Sequence, residues 1–370
     1  MAYACDFSDG ASDYLAADVL KVWSAGSSGI GTSDVDGGTL AGPSGLIRGG
    51  LNNATHRITG FRIKFASVGG ILSFFQYKDN VSDHISLHRA SDGSIGTTAQ
   101  PGGGASVSDP TTVLATGTWY IVEFGTFVSN TVGRIETRVN GTQIPALTSI
   151  ALGGTVSNSI DTFGQFCSNN ITGIAFTGGA AYDIDWVWTK WDSVIWTPSD
   201  FLGNVRKITL RPKAGTAGDG FYNTGTGWSV GAGSTTLSDV MREAQMDSDT
   251  SFGVRAAAAG TDADRFSVKC DAMPTNTNTV KLVSHRSWVR NTSGSTSTHK
   301  RFVYASTGGT THDSAVTVTD GTSYAGGVAG GTVTSGNHMQ DNFLVHPNGA
   351  ALTKTLVDTM EPGVKVITLT

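Results

Sequence analysis

The amino-acid sequence predicts an all-β protein built from two tandem β-sandwiches. The chain has 49 glycines among 370 residues but only four glutamates, so its composition is short of the best helix formers. Short runs of alternating apolar and polar residues recur along the chain between glycine-rich turns, a pattern typical of strands. The length exceeds the ~250–300 residues at which one hydrophobic core usually stops growing, which favours two domains.

The clearest strand pair lies in the first half of the chain. Residues 134–139 alternate strictly between charged and uncharged side chains, which predicts a strand with one buried and one solvated face. Asn140-Gly141 supplies the two residues with positive φ that a type I′ hairpin turn needs, so residues 142–144 should run back beside this strand. Residues 119–124 are apolar on both faces apart from Glu123, which predicts an inner strand.

These two strands together resemble the concanavalin-like, or laminin-G-like, jelly roll. Asp6-Phe7 and the segment 14–23 resemble the opening of a family of phage virion proteins that carry this domain. Residues 182–188 resemble its closing strand, so the likeness covers roughly residues 1–192. The resemblance implies that the first β-sandwich is a concanavalin-like jelly roll.

A domain boundary is predicted after the closing strand. Residues 1–192 form the first domain, with a loop-rich segment over residues 1–60. Residues 193–204 form a linker, because Thr197-Pro198-Ser199-Asp200 is typical of a turn. Residues 205–370 form the second β-sandwich, where the strand pattern restarts at 205–210.

The second domain is expected to contain one or two short helices. Leu237, Met241 and Ala244 lie at helical spacing, and so do Leu352, Leu356 and Met360. The segments 228–252 and 356–366 resemble the second domain of the same phage proteins, although Pro362 departs from their usual residue.

Charge and cysteine content narrow the class of protein. The net charge of −5 and scattered basic residues argue against a nucleic-acid-binding surface. Cys5, Cys167 and Cys270 are odd in number and far apart, which predicts free thiols rather than a disulfide framework or a zinc site. The sequence shows neither a signal peptide nor an apolar run of the ~20 residues that a membrane span needs.

Carboxylates are candidate catalytic groups, since some jelly rolls are glycosidases. The four glutamates, Glu123, Glu136, Glu243 and Glu361, do not form the Glu-x-Asp-x-x-Glu strand motif of such enzymes. Asp183 and Asp185 share a strand face about 6.6 Å apart, within the range of an inverting carboxylate pair. We interpret both as solvated carboxylates near a sheet edge, and we expect their joint replacement by asparagine to leave function intact.

Several other residues are candidates for binding a metal ion or a sugar. Asp183, Asp185, Asp192 and Asn169-Asn170 offer oxygen ligands but lack an EF-hand-type spacing, so solvated turn residues are favoured over calcium ligands. His84 and His88 lie on one strand face, too far apart to bind one metal ion, and are interpreted as surface residues. Trp186, Trp188 and Trp191 could stack on sugars, but core packing is favoured because Trp186 and Trp188 share a face with Ile184. We therefore assign no catalytic, cofactor-binding or metal-binding residue.

The resemblance implies a non-enzymatic structural component of a bacteriophage virion, assembled in the host cytoplasm. A tail-associated appendage or adhesion protein comes first, and a capsid decoration protein is the alternative. A carbohydrate-binding adhesin and, last, a jelly-roll glycoside hydrolase stay open. The expected partners are other virion proteins, copies of the same chain as an oligomer such as a trimer, and a host surface glycan; nucleic acid and membrane are not expected, and no cofactor is.

Overall fold

The structure is a computed structural model of the chain. It describes residues 4–9, 23, 25–32, 38–49, 51–67, 69–79, 82–99, 106–127, 134–148, 171–193, 196–210, 212, 221–223, 228–232, 252–255, 265–275, 277, 279–289, 297–304, 310–319 and 337–369. The described residues divide into two compact units between Lys207 and Ile208. The fold-class prediction is confirmed, because strands dominate both units and a short helix lies in the second.

The described residues of the first unit form thirteen strands joined in one antiparallel sheet. They are β1 (Ala4–Asp9), β2 (Ala25–Thr32), β3 (Gly38–Arg48), β4 (His56–Phe65), β5 (Leu72–Asp79), β6 (Ser82–Arg89), β7 (Ser94–Ala99), β8 (Ser106–Val113), β9 (Trp119–Phe127), β10 (Arg134–Val139), β11 (Thr142–Thr148), β12 (Gly173–Phe176) and β13 (Tyr182–Asp192). The order across the sheet is β11-β10-β9-β4-β13-β3-β12-β5-β6-β7-β8, with β1 beside β13 and β2 beside β3. The end strands β8 and β11 lie close together, so the sheet is nearly closed on itself.

An aromatic core joins the two layers of this rolled sheet. The ring of Phe61 on β4 lies 5.1 Å from that of Phe75 on β5 and 5.2 Å from that of Phe176 on β12, measured between centroids. The hydroxyl of Tyr77 on β5 donates a hydrogen bond of 2.7 Å to the carbonyl of Phe124 on β9. These five side chains are fully buried, which is the packing expected of a jelly-roll β-sandwich.

The predicted hairpin is confirmed in detail. β9 lies between β10 and β4, as an inner strand should, and β10 pairs with β11 through the turn. Asn140 and Gly141 have φ angles of 51° and 79°, the left-handed values of a type I′ turn. The side-chain oxygen of Asn140 also accepts a hydrogen bond of 2.9 Å from the backbone N–H of Ile121.

Two segments predicted as loops contain strands instead. Asp92-Gly93 and the run Gly102-Gly103-Gly104 predict an exposed loop over residues 91–110. In the structure, β7 and most of β8 lie there, and only residues 90–93 separate β7 from β6. Residues 1–60 were expected to be loop-rich, but they provide β1, β2, β3 and the start of β4. Glycine, serine and threonine in these segments weaken the alternating hydrophobic signal, while neighbouring strands supply the pairing that orders them.

In the described part of the chain, the second unit combines three sheets and one helix. Its strands are β14 (Phe221–Asn223), β15 (Trp228–Ala232), β16 (Phe252–Arg255), β17 (Arg265–Val268), β18 (Val283–Val289), β19 (Ser297–Tyr304), β20 (Thr311–Thr319), β21 (Asn337–Phe343) and β22 (Glu361–Leu369). A five-stranded sheet has the order β14-β17-β22-β19-β20, and β15-β16 and β18-β21 form two-stranded sheets. The prediction of a strand at 205–210 is wrong, since these residues form no strand and the boundary between the two units falls among them, after Lys207.

Helix α1 (Lys354–Asp358) confirms the C-terminal helix prediction in a shorter form. The hydroxyl of Thr353 caps it by accepting a hydrogen bond of 3.2 Å from the backbone N–H of Leu356. Val357 faces a small core with Met273, Val303, Leu352 and Met360. The helix predicted around Leu237 to Ala244 lies outside the described residues. No helix in the described part of the chain is both long and apolar enough to cross a membrane.

Two of the three cysteines are described, and both are free thiols. Cys5 donates from Sγ to the carbonyl of Phe7 at 3.4 Å. Burial raises the pKa of the Cys270 thiol to about 12, so this cysteine stays protonated and unreactive at neutral pH. Cys167 lies outside the described residues. The expectation of three free thiols stays a prediction, which thiol titration of the unfolded protein would check.

Candidate functional site

One outward face of the first unit carries charged side chains from β10, β9, β4 and β13. The register places Glu123 opposite Arg138 of β10 and opposite Gly60 of β4, while Val122 and Phe61 point into the core. We call five residues of this surface the ionic face: Arg62, Glu123, Glu136, Arg138 and Asp185. Within it, Arg138 donates from Nε and Nη2 to Glu136 Oε1 at 2.8 and 2.7 Å.

The segment 196–207, which we call the strap, lies across the ionic face. The indole Nε1 of Trp196 donates to Glu136 Oε2 at 2.8 Å. The backbone N–H groups of Leu202 and Gly203 donate to Glu123 Oε1 at 2.7 and 3.0 Å. Residues 196–204, expected to belong to a linker, are therefore held by the carboxylates of the first unit.

Ring packing and an ion pair hold the rest of the strap. The guanidinium of Arg138 lies 4.0 Å from the ring centroid of Phe201, and Gly125 on β9 leaves space beneath that ring. The ammonium of Lys207 lies 3.2 Å from Asp185 Oδ1. A Cβ at position 125 would sit 3.0 Å from Phe201 Cζ, so a side chain there would press on that ring.

The interpretation of Asp183 and Asp185 as solvated edge carboxylates is wrong. Strand β13 lies inside the sheet, between β4 and β3. The side chain of Asp185 is fully buried, with Oδ2 2.6 Å from Arg62 Nη1. Asp183 is partly exposed and lies 3.4 Å from the ammonium of Lys64. Each carboxylate thus has a cationic partner, and a buried carboxylate needs one.

The expectation that Trp186 and Trp188 share the face of Ile184 is wrong for Trp188. A β-bulge between Ile184 and Val187 adds a residue opposite β4, so the side chains beyond it change face. Trp188 consequently lies on Gly60, outside the core that holds Ile184, and a Cβ on Gly60 would come within 2.4 Å of its ring. Trp188 is 3% exposed and Trp186 5%, so neither ring offers a stacking surface.

Burial changes the acidity of one carboxyl of the ionic face. Desolvation raises the pKa of Glu123 above its usual value, although its hydrogen bonds to Gly203 and Leu202 and the charges of Arg138 and Lys190 act in the opposite direction. Glu123 and Glu136 lie on adjacent strands, a proximity that spacing in the sequence did not reveal. Their oxygens are occupied by the strap and by Arg138, so in this arrangement the two carboxyls hold the strap in place.

The residues considered as calcium ligands are not brought together for that purpose. Asp183 and Asp185 bind the cations described above, and Asp192 Oδ1 accepts from the backbone N–H of Ser193 at 2.5 Å. Asn169 and Asn170 lie outside the described residues. Within the described ranges, no three His, Cys, Asp or Glu side chains are grouped so that they could hold a metal ion.

On a second outward face, formed by β6, β7 and β8, the described side chains carry hydroxyls and one imidazole but no charge. Strand register aligns Ser86, Thr98 and Ser106 in one row, and His88, Gly96 and Ser108 in the next. We call these six residues the neutral face. The alternate residues Leu87 and Thr97 are fully buried in the core.

Four side chains of the neutral face form a continuous chain of hydrogen bonds. His88 Nε2 lies 3.3 Å from Ser108 Oγ, and His88 Nδ1 lies 3.1 Å from Thr98 Oγ1. Thr98 Oγ1 in turn donates to Ser106 Oγ at 3.2 Å. We call this chain the relay. The imidazole lies directly over Gly96, where a Cβ would come within 2.3 Å of Nε2, so only glycine leaves room for the ring.

The relay joins a buried residue to an exposed rim. His88 is 3% exposed, whereas Ser106 and Ser108 on β8 are exposed and Thr98 is partly exposed. Burial lowers the pKa of His88, which keeps the imidazole neutral at neutral pH. The prediction of His88 as a surface residue is therefore wrong, and the side chain of His84 lies outside the described residues. No sequence pattern pointed to this site, because the glycine-rich segment that forms β7 and the start of β8 predicts a loop.

The fold and this face define the first unit as a jelly-roll β-sandwich with an uncharged, hydroxyl-bearing surface. No family model and no curated protein matches the chain. Its fold is similar to that of the galectin LEC-6 of Caenorhabditis elegans, with 14% identity, a TM-score of 0.28 and coverage of 41% of this chain and 94% of the galectin.

Two further solved structures are similar to part of the chain. One is the cellulose induced protein Cip1, with 14% identity, a TM-score of 0.30 and coverage of 53% of this chain and 93% of Cip1. The other is domain 4 of AbnA, an extracellular arabinanase of Geobacillus stearothermophilus, in complex with arabinotriose; it has 15% identity, a TM-score of 0.32 and coverage of 54% of this chain and 97% of that domain. These similarities concern the fold, and the resemblance to phage virion proteins stays a prediction.

Proposed function

We propose that this chain is a non-enzymatic glycan-binding protein and that the exposed rim of the neutral face, at Ser106 and Ser108, is its binding surface. One observation carries the proposal. The hydroxyls of Ser106 and Ser108 are exposed on β8, and a buried imidazole holds them in fixed positions through the relay. Fixed hydroxyls without neighbouring charge suit the hydroxyl groups of a sugar, because few and well-placed polar groups set the orientation of a ligand.

The rigidity of this surface supports binding. Ser106 and Ser108 sit on a paired strand, and the relay restricts the rotation of their hydroxyls. Groups held in place before binding lose less entropy on contact with a ligand than groups on a mobile loop. A sugar hydroxyl can both donate and accept, so it can complete the unused hydrogen-bonding capacity of both serines.

The ionic face is a poorer candidate for a glycan-binding surface, because the strap already covers it. Its carboxylates contact the strap, and Asp185 is fully buried between Arg62 and Lys207. A ligand would first have to displace the strap and leave buried charges without partners, which costs several kcal/mol. This occupation also supports the proposal that the protein is not a hydrolase, although jelly-roll folds host both binding and catalytic functions.

Within this proposal, the chain acts in attachment as a tail-associated component of a phage virion. The resemblance of the opening and closing strands to phage virion proteins supports that location, and a capsid decoration protein is the alternative. Low-charge β surfaces support assembly with other virion proteins or as a symmetric oligomer such as a trimer. Gold labelling of intact particles with an antibody to this chain would distinguish tail from head, and absence from the particle would refute both.

A glycan microarray followed by titration of the hits tests the binding proposal. The double variant Ser106→Ala/Ser108→Ala should weaken binding by about five- to 150-fold, because it removes two hydrogen bonds worth about 0.5–1.5 kcal/mol each. Ser86→Ala is the matched control, since Ser86 lies on the same face but outside the relay, donating at 3.4 Å to the carbonyl of Thr98. Equal affinity of the double variant and the wild type, or a wild type that binds no glycan, would overturn the proposal.

A further inference from the structure

We infer that His88 is a positioning residue that sets the hydrogen-bonding polarity of the exposed rim, with Ser108 as acceptor and Ser106 as donor toward a ligand. The inference follows from counting protons along the relay. Thr98 has a single hydroxyl proton, which it donates to Ser106 Oγ. Its oxygen must therefore accept from His88 Nδ1–H, across 3.1 Å.

The protonation of one nitrogen fixes the state of the other. A neutral imidazole carries one proton, so Nε2 is left as an acceptor when Nδ1 is protonated. Ser108 then donates its only hydroxyl proton to Nε2 across 3.3 Å. The outward side of Ser108 Oγ offers only lone pairs, whereas Ser106 accepts from Thr98 and keeps its own proton for an outward partner.

This polarity defines a ligand class, and here the inference rests on the proposed glycan-binding function. The two serines lie two residues apart on β8, about 7 Å along the strand. An uncharged polyol can donate to Ser108 and accept from Ser106. A carboxylate, sulfate or phosphate ester cannot donate to Ser108, and the described side chains of the neutral face include no cation that would attract it. The site therefore takes neutral glycans in preference to anionic ones.

Protonation of His88 would reverse the polarity at Ser108. A charged imidazole donates from both nitrogens, so Nε2–H would donate to Ser108 and turn the serine hydroxyl outward as a donor. The described residues facing the ring are Ser73 on β5, Ser86 on β6, Gly96 and Thr98 on β7, and Ser106 and Ser108 on β8, and none of them titrates in this range. Burial lowers the pKa of His88, so the reversal requires acidic conditions.

Nitrogen NMR of the full-length chain labelled with ¹⁵N-histidine tests the relay without any ligand. At pH 7.5 the resonances of His88, assigned through a His88→Gln variant, should show Nδ1 protonated and Nε2 unprotonated. Thr98→Val removes the acceptor of Nδ1–H with almost no change of shape and should shift the ring toward the Nε2–H form. Ser108→Ala and Ser86→Ala should keep Nδ1–H, since Thr98 is intact in both.

A wild-type ring with its proton on Nε2, or Thr98→Val spectra identical to wild type, would overturn the relay. The ligand class is tested separately with matched array pairs, each a neutral glycan and its carboxylated or sulfated derivative. Neutral members should bind at least about tenfold more tightly at pH 7.5, and this ratio should fall toward acidic pH. Equal binding within the pairs would overturn the ligand class. An Nδ1–H ring in a protein that binds no glycan would refute the proposed function but uphold the relay.

Discussion

Replacing Asp185 by asparagine would remove the one carboxylate between two cations of the ionic face. In the wild type, Oδ2 lies 2.6 Å from Arg62 Nη1 and Oδ1 lies 3.2 Å from Lys207 Nζ. The variant keeps the shape of the side chain but leaves both cations without their shared counter-charge. We therefore expect the replacement to destabilise the protein. The sequence alone predicted that replacing Asp183 and Asp185 together would leave function intact, but Asp185 is not a solvated residue.

The size of the effect follows from burial. Removing one partner of a buried ion pair typically costs about 3–5 kcal/mol. The side chain of Asp185 is fully buried. Those of Arg62 and Lys207 are 12% and 14% exposed, so water partly compensates their charges. We therefore expect the lower end, a loss of about 3 kcal/mol in the free energy of unfolding of the first unit. For a unit of this size the melting temperature should fall by about 6–12 °C.

Asp183→Asn is the matched control on the same strand. Its ion pair with Lys64 has both side chains nearly one-third exposed, at 28% and 29%, so its loss should cost less than about 1 kcal/mol. Differential scanning calorimetry of the full-length chain separates the transition that each variant moves. Losses of similar size in the two variants, or an Asp185→Asn protein as stable as the wild type, would refute the role given to the buried ion pair.

Three further predictions concern the strap and the relay. Because burial raises the pKa of Glu123, its contribution to stability is full below the unfolded value near 4.5 and is lost as the pH rises through the folded pKa. Glu123→Gln should therefore gain stability relative to wild type as the pH rises in denaturation series, and a constant difference would contradict this. Gly96→Ala should destabilise the first unit by about 1–3 kcal/mol and change the His88 NMR signals, because its Cβ would meet the ring; unchanged signals would argue against the stacked geometry. Limited proteolysis should spare residues 196–207, whereas early cleavage there, followed by loss of the strap, would show that its contacts are weak.

Much of the first unit could be predicted from the sequence, because patterns of neighbouring residues determine several of its strands and turns. The alternation from Arg134 to Val139 and the turn at Asn140-Gly141 depend on local chemistry, and the structure has both. The face of Trp188 could not be predicted in the same way. A β-bulge adds one residue through pairing with β4, and no period within β13 alone reveals the pairing partner.

The sites escaped prediction because they are made by distant residues. Glu123 meets Leu202 and Gly203 only because the chain returns across the sheet after β13. The neutral face is formed in part by β7 and β8, whose glycine, serine and threonine residues predict a loop rather than strands. Gly96 shows why: its lack of a side chain weakens the strand pattern, yet that lack is what admits the His88 ring.

The two outward faces of the first unit differ in what it costs to cover them. Covering the ionic face means desolvating Glu123, Glu136 and Asp185, which is favourable only when each carboxylate receives donors in return. The strap supplies those donors from the same chain, so it meets the face at a high effective concentration and loses little further entropy. A free ligand would have to match those donors and compete with a tethered segment.

The neutral face makes no such demand, because its hydroxyls lose only modest hydration when a sugar replaces water, and its rim on β8 is exposed. This difference is the physical reason for placing ligand binding on β8 while assigning the charged residues to holding the strap.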